Sequence, residues 1–193
     1  PNYRLPREVL DAEIASMLAL GIDVHVNVNV GDDVTFDELR QQNDALYIAL
    51  GAHTDKKTGI EGEDAKGVLS AVEMLRGIGD DEMPDFKGKD IIVIGGGNIA
   101  ADVARTAVRC GAESVDLYCL EAYDDMPMGE EDRSECERDG ITVHAGWGQT
   151  EILAENGRCS GIRFRKCLSV KNAEGRFDPK LDDAVDRKST RLN

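Results

Sequence analysis

The chain has 193 residues and a formal net charge of −15; 41% of its residues are hydrophobic and 32% are charged. This composition predicts folded domains, and the negative charge argues against nucleic acid or an anionic membrane as a partner. No apolar run approaches the ~20 residues of a membrane span, and the five cysteines form no C-x-x-C pair, so we expect a reduced, cytoplasmic protein without a metal site.

The first 85 residues alternate between helical and extended patterns. Apolar residues three and four apart predict helices, a strict alternation predicts a strand, and a continuous apolar run predicts a buried strand. A Thr-x-x-Glu spacing is typical of a capping box that opens a helix. In chain order, the predictions are a helix over 5–21, a strand over 22–28, a short helix after the capping box of Thr35 and Glu38, a strand over 45–52 and a helix over 68–75.

A second unit is predicted from residue 86 onward. It starts with a strand, a run of three glycines, a helix and a second strand, which together predict a βαβ unit. An acidic segment and a further strand follow, and two turn signals then predict a three-stranded antiparallel meander. The predicted elements are strands at 91–94, 114–121 and 141–147, a helix over 98–110, and turns at Asn156-Gly157 and Glu174-Gly175.

The three glycines lie between a predicted strand and a predicted helix and match the pattern G-x-G-x-x-A. We expect Gly95 to make the tight turn and Gly97 to let the backbone approach a pyrophosphate, while Gly96 adds freedom. The N–H groups and the macrodipole of the first helical turn would bind the phosphate charge. The residues predicted to bind a dinucleotide here are Gly95, Gly96, Gly97, Asn98, Ile99 and Ala100.

Glu121 follows the second strand of this unit, 21 residues after Ala100. An acid at this spacing is expected to bind the hydroxyls of the adenosine ribose, and its charge favours NADH over NADPH. The alternative is that Glu121 begins a solvated acidic loop. Two other functions also stay open on the residues alone, an S-adenosylmethionine-dependent methyltransferase and a non-catalytic nucleotide-binding subunit.

Several segments together resemble the small-subunit family of glutamate synthase. They are "PNYRLPREVLDAEI", "ALYIALGAH", "IVIGGGNIAADVARTAVRCGAESVDL" and "DDMP". Proteins of that family are flavoproteins in which a Rossmann-like NAD(P)H domain is inserted into a split FAD domain. The resemblance implies an internal piece of an α/β oxidoreductase that passes hydride from NAD(P)H to FAD and on to an iron–sulfur or other acceptor.

The resemblance also assigns parts of the chain. Residues 1–85 are expected to form part of the FAD domain, with Gly51 near the FAD, and residues 86–185 the NAD(P)H domain with its meander but without its last strand. No side chain is expected to be catalytic, because nicotinamide and flavin supply the chemistry. The final segment 186–193, "DRKSTRLN", resembles a translated sequencing adapter and is left out of the predicted fold.

One departure from the family concerns the choice of nucleotide. Many relatives carry two consecutive arginines after the second strand, where they bind the 2′-phosphate of NADPH, and this chain has Leu120 and Glu121 there. No arginine is close in sequence to replace them. This difference favours NADH and makes a subunit that serves an iron–sulfur partner a better match than glutamate synthase itself.

Overall fold

The computed structural model describes residues 4–189, with side chains described as far as residue 184. The chain divides into two compact units, Pro1–His53 and Thr54–Asn193. Each helix within residues 4–189 is too short or too polar to span a bilayer. The helices are α1 (Arg7–Leu18), α2 (Phe36–Gln42), α3 (Ala71–Gly79), α4 (Asn98–Arg109) and α5 (Glu130–Arg138); the strands are β1 (Asp90–Ile94), β2 (Ser114–Cys119), β3 (Thr142–Ala145), β4 (Trp147–Glu155), β5 (Arg158–Lys171) and β6 (Phe177–Ser189).

The first unit contains the two helices that the sequence predicts for it. α1 falls within the predicted helix, and α2 follows the predicted capping box. In that box the N–H of Glu38 donates to Thr35 Oγ1 at 3.2 Å, and the N–H of Thr35 donates to Glu38 Oε2 at 2.8 Å. Both bonds are local, which is why the sequence alone identifies the start of α2.

The two strands predicted in the first unit, over 22–28 and 45–52, are wrong. Within residues 4–53 the only β-structure is an isolated bridge between Val30 and Val34. The alternating valines are exposed, with Val26 at 73%. Alternation shows which side chains share a face, but a strand also needs a hydrogen-bonded neighbour, and none of the described residues supplies one here.

The second unit contains the predicted βαβ unit. Its parallel sheet has the order β1-β2-β3, and α4 connects β1 to β2. Small side chains on one face of α4 let the helix lie close to the sheet, and Ala101 and Ala104 are fully buried there. The core between this helix and the sheet includes Phe86, Val93, Leu117, Met126, Met128, Cys136 and Ile141.

The predicted antiparallel meander is also present, with the order β4-β5-β6. Asn156 and Gly157 join β4 to β5 with positive φ angles of 52° and 75°, the conformation that Asn-Gly favours in a tight hairpin. β6 continues to Ser189, so residues 186–189 pair with β5 although the sequence analysis left them outside the fold. The remaining tail residues, 190–193, lie outside the described part of the chain.

Within the second unit, the segment that precedes β1 packs against the meander. The N–H of Ile152 in β4 donates to the carbonyl of Glu61 at 2.8 Å, and the N–H of Cys159 in β5 donates to the carbonyl of Lys66 at 2.9 Å. Apolar side chains of this segment join a second core cluster formed by Tyr118, Ile152, Ile162 and Phe164. The compact units therefore divide after residue 53, whereas the functional division predicted at residue 85 stays a prediction.

Candidate functional site

The glycine turn connects the end of β1 to the start of α4. The N–H of Gly95 donates to the carbonyl of Tyr118 at 2.9 Å, and its φ of +136° is one that side chains rarely adopt. Gly96 is buried, and a Cβ on it would lie 3.0 Å from both Cys119 Cβ and Glu121 Oε2. Gly96 is therefore needed for close approach to the end of β2, whereas the sequence analysis assigned it only added freedom.

The first turn of α4 presents donors without partners. Among residues 4–189, no acceptor is bonded to the N–H of Gly97, Asn98 or Ile99. A Cβ on Gly97 would meet no atom within 4 Å, so the space in front of these donors is open. Such a helix N-terminus favours an anion.

The charge pattern of the helices singles out the same turn. Of the five α-helices in residues 4–189, α4 alone has no acidic side chain in its first turn. An acid in that place compensates the positive end of the helix dipole. The acids in the first turns of the other helices are Glu8, Asp37, Glu38, Glu73, Glu130, Glu131 and Asp132.

Asn98 and Ala100 have different surroundings within this turn. Ala100 is 7% exposed, and its Cβ lies 3.5 Å from the position that a Cβ on Gly95 would occupy, so its small size allows the helix to pack against the turn. The side chain of Asn98 accepts a hydrogen bond from the N–H of Gly129 at 3.1 Å. The side-chain oxygen of Asn98 is therefore already bonded, whereas its backbone N–H remains available to a ligand.

A segment that sequence reasoning missed holds the turn in place. The N–H of Met128 donates to the carbonyl of Gly96 at 2.9 Å, next to the bond between Gly129 and Asn98. The signal in the sequence was the break at Met126-Pro127, but its contact with a turn about 30 residues earlier depends on the fold.

Glu121 lies beside the glycine turn, at the same edge of the sheet. It is half-buried, and its carbonyl accepts the N–H of Gly146 at 2.7 Å, which fixes it to the end of β3. Its carboxylate reaches the space above Gly96. The exposed acids of the loop are Asp124 and Asp125, so the solvated-loop interpretation describes them better than it describes Glu121.

Two cations contact this edge although they are remote from it in sequence. Lys166 Nζ lies 5.2 Å from the centroid of the ring of Trp147, the first residue of β4. The guanidinium of Arg133 lies 5.1 Å from the ring centroid of Tyr123 and donates to the carbonyl of Tyr123 at 2.5 Å. The sequence analysis considered only arginines close to Leu120 and Glu121 in sequence, so it identified neither of these cations.

Two buried cysteines of the core between α4 and the parallel sheet are not nucleophiles. Cys119 is buried beneath the turn, and burial, followed by the charge of Glu121, raises the pKa of its thiol to about 11. Burial also raises the pKa of the Cys136 thiol to about 11. Both thiols stay protonated at neutral pH, which makes them unreactive.

Gly51 belongs to the first unit. It is exposed and has a φ of +70°, and a Cβ on it would lie 3.7 Å from His53 Nε2. It does not end a strand, because the predicted strand over 45–52 is not formed. Its expected position near FAD stays a prediction.

Comparison with known proteins identifies the family. Residues 6–176 match the pyridine nucleotide-disulphide oxidoreductase family. The chain belongs to this family. It is 38% identical over 176 residues to the NADP(+)-dependent formate dehydrogenase subunit beta of Moorella thermoacetica, covering 90% of this chain and 24% of that protein. It is 34% identical over 194 residues to a putative glutamate synthase (NADPH) small chain of Cereibacter sphaeroides, covering 96% of this chain and 47% of that protein.

The fold agrees with a solved structure. FprA of Mycobacterium tuberculosis, in complex with NADPH, is similar with a TM-score of 0.70 at 19% identity, covering 86% of this chain and 52% of FprA. This likeness confirms the predicted α/β fold, and the family match confirms the resemblance drawn from the sequence. The family match gives no support to the methyltransferase alternative. The chain spans less than half the length of the two curated relatives.

Proposed function

We propose that the second unit binds the adenosine diphosphate part of NAD(P)H in a flavoprotein oxidoreductase, which passes hydride from the nicotinamide to FAD. The observation that carries the proposal is the first turn of α4, with its three unbonded N–H groups, its open space and its lack of an acid. Membership of the oxidoreductase family supports the same conclusion.

The turn fits a pyrophosphate. The N–H groups of Gly97, Asn98 and Ile99 are free to donate to phosphate oxygens, and the helix dipole adds favourable charge. Gly95 gives the chain its sharp turn, and Ala100 keeps the helix against it. A side chain at Gly97 would enter the space proposed for the phosphates, although it would meet no atom of the protein.

Glu121 is proposed to hold the adenosine ribose. Its carboxylate lies above the glycine turn, within reach of a ribose that follows a pyrophosphate on α4. A carboxylate accepts hydrogen bonds from the two hydroxyls of NADH and repels the 2′-phosphate of NADPH. The relatives named above are called NADP-dependent or NADPH enzymes, so both nucleotides need to be tested.

Nucleotide preference tests the role of Glu121. A charged hydrogen bond contributes roughly 1.5–3 kcal/mol, and we expect at least a tenfold preference for NADH, equivalent to about 1.4 kcal/mol. The measurement is kcat/KM for NADH and NADPH in the complete protein, at fixed ionic strength with an artificial acceptor. Replacing Leu120 and Glu121 with arginines should narrow or reverse the preference. Equal efficiencies in the parent protein would show that Glu121 does not bind the ribose.

For the complete protein, the proposal includes a bound FAD and an electron acceptor. Bound nicotinamide and flavin supply the hydride chemistry, so the residues of this chain need only bind and orient the nucleotide and no general base is required. Residues 1–85, including Gly51, are proposed to contribute to the FAD domain. An iron–sulfur domain or subunit is the proposed acceptor, consistent with a relative that is the beta subunit of a formate dehydrogenase.

Dye reduction by the complete protein tests this function directly. The proposal predicts bound flavin and NADH-dependent reduction of an artificial acceptor. Nucleotide binding without flavin reduction would instead support the non-catalytic nucleotide-binding subunit. The flavin spectrum under anaerobic conditions separates the two outcomes, because it reports reduction before any acceptor is added.

A further inference from the structure

Lys166 brings a cation to the edge of the parallel sheet where β2 and β3 end. It lies in β5 opposite Trp147, and its ammonium is 5.2 Å from the centroid of that ring. A Cβ placed on Gly146, the residue after β3, would lie only 2.8 Å from Lys166 Nζ. The cation–π contact therefore holds the ammonium over the end of β3.

Hydrogen bonds connect this position to Glu121. The N–H of Gly146 donates to the carbonyl of Glu121 at 2.7 Å, and the N–H of Cys167 donates to the carbonyl of Gly146 at 2.9 Å. Gly146, which lies beneath the Lys166 ammonium, is thus bonded both to Glu121, the proposed ribose ligand, and to β5. A carboxylate and an ammonium consequently lie at the ends of two neighbouring strands.

Two neighbouring cations of β5 form ion pairs with described carboxylates, whereas Lys166 forms none with the described side chains. Arg163 forms an ion pair with Glu151 at 2.9 Å, and Arg165 forms one with Asp183 at 2.5 Å. Among the described side chains, which extend to residue 184, no carboxylate forms an ion pair with Lys166. Its charge is available to a ligand that reaches the end of β3.

We propose that Lys166 binds the 2′-phosphate of NADPH, so that Glu121 and Lys166 together set the choice between NADH and NADPH. The inference rests on the proposed function, because it places the adenosine ribose at Glu121. A phosphate monoester carries a charge of about −1.5 to −2 at pH 7, and lysine binds it as a point charge. Glu121 disfavours this phosphate and Lys166 offsets part of that repulsion, so the site admits NADPH as a second substrate.

The test uses two probes that differ in one phosphate, 2′,5′-ADP and 5′-AMP, titrated calorimetrically into the complete protein. The Lys166→Met variant keeps an aliphatic stem to cover Trp147 and removes only the charge. We expect it to bind 2′,5′-ADP about tenfold more weakly, equivalent to one charge-assisted contact, and 5′-AMP as the parent does. Lys171→Met, which removes a cation at the far end of β5, is the matched control and should change neither affinity.

Salt gives a second readout that a structural role would not move. The affinity of the parent for 2′,5′-ADP should fall as ionic strength rises, and it should fall less in Lys166→Met, since screening weakens the interaction of exposed charges. Equal weakening of both probes in Lys166→Met, or no weakening of either, would overturn the inference while leaving the proposed function intact. A parent protein that binds neither probe would overturn both.

Discussion

The two units differ in burial although both have strong apolar patterns. No residue within 4–53 is buried, and large apolar side chains such as Ile14 and Val26 are exposed. The second unit has two buried clusters, one around Leu117 and the other around Phe164. In that unit each strand has a hydrogen-bonded neighbour, and the side chains between the layers are covered. The comparison shows that an apolar pattern predicts which side chains share one face of a helix or strand. A hydrophobic core forms only where another element covers that face.

The largest expected effect is a loss of stability in the second unit. It comes from a substitution in the segment before β1, which packs on β4. Gly62 has a φ of +83°, and a Cβ on it would lie 2.0 Å from the carbonyl oxygen of Ile152. Gly62→Ala should destabilise the second unit by about 3 kcal/mol, because it combines a strained backbone with overpacking. Hydrogen exchange at the Ile152 amide, which donates to Glu61, measures the loss.

Gly59 provides the matched control for Gly62. Its φ of +76° is similar, but a Cβ on it would meet no atom within 4 Å. Gly59→Ala should therefore cost only the backbone strain, about 1 kcal/mol. Equal costs for the two variants would show that the close approach to Ile152 does not hold this segment in place.

A thiol in the core between α4 and the parallel sheet gives the next largest expected effect. Cys136 is fully buried, and burial raises the pKa of its thiol from 9.0 to about 11. Although the segment around it is acidic, Cys136 lies on the buried face of α5. Since each pKa unit changes the thiolate fraction tenfold, iodoacetamide at pH 8 should alkylate Cys136 about a hundredfold more slowly in the folded protein than in urea.

The raised pKa of Cys136 also makes the stability of the fold depend on pH. Because the folded pKa of Cys136 lies above the unfolded one, the unfolded state loses its proton first, and stability falls as pH rises from about 9 to about 11. Alkylation of Cys136 at the same rate in the folded protein and in urea would contradict the buried position of α5.

The smallest expected effect on stability comes from removing two helix N-caps, both of which use a side-chain hydroxyl. Thr35 Oγ1 accepts the N–H of Glu38 at 3.2 Å in the first unit, and Ser70 Oγ accepts the N–H of Glu73 at 3.1 Å in the second. Replacing either with alanine removes about 1 kcal/mol. Because α2 has no buried residue whereas α3 buries Ile78, Thr35→Ala should leave α2 amides almost unprotected and Ser70→Ala should leave α3 protected.

Hydrogen exchange of each helix checks this comparison. Similar residual protection in α2 and α3 after cap removal would show that burial does not distinguish the two helices. The serine variant of Thr35 retains the hydroxyl and should keep the protection of the parent, which separates loss of the cap from loss of the methyl group.

Features that depend on neighbours in sequence could be predicted, and features that depend on the fold could not. The capping box at Thr35 and the hairpin at Asn156 are specified by residues a few positions apart, and both were predicted correctly. The spacing also pointed to Glu121, which lies beside the glycine turn. The contacts of Gly62 and Lys166 join residues that are distant in sequence, so no local pattern could reveal them.

The central claim is that the first turn of α4 binds the pyrophosphate, and Gly97→Val tests it most directly. The φ of Gly97 is −97°, and a Cβ there meets no protein atom within 4 Å, so the variant should fold normally while its side chain fills the phosphate space. Gly79→Val, at a helix end with equally open surroundings, is the control. Calorimetric titration of NADH into the complete protein should show at least a hundredfold loss of affinity for Gly97→Val, equivalent to about 2.7 kcal/mol, and none for Gly79→Val. Unchanged affinity in Gly97→Val, with β1 still protected from hydrogen exchange, would contradict the account.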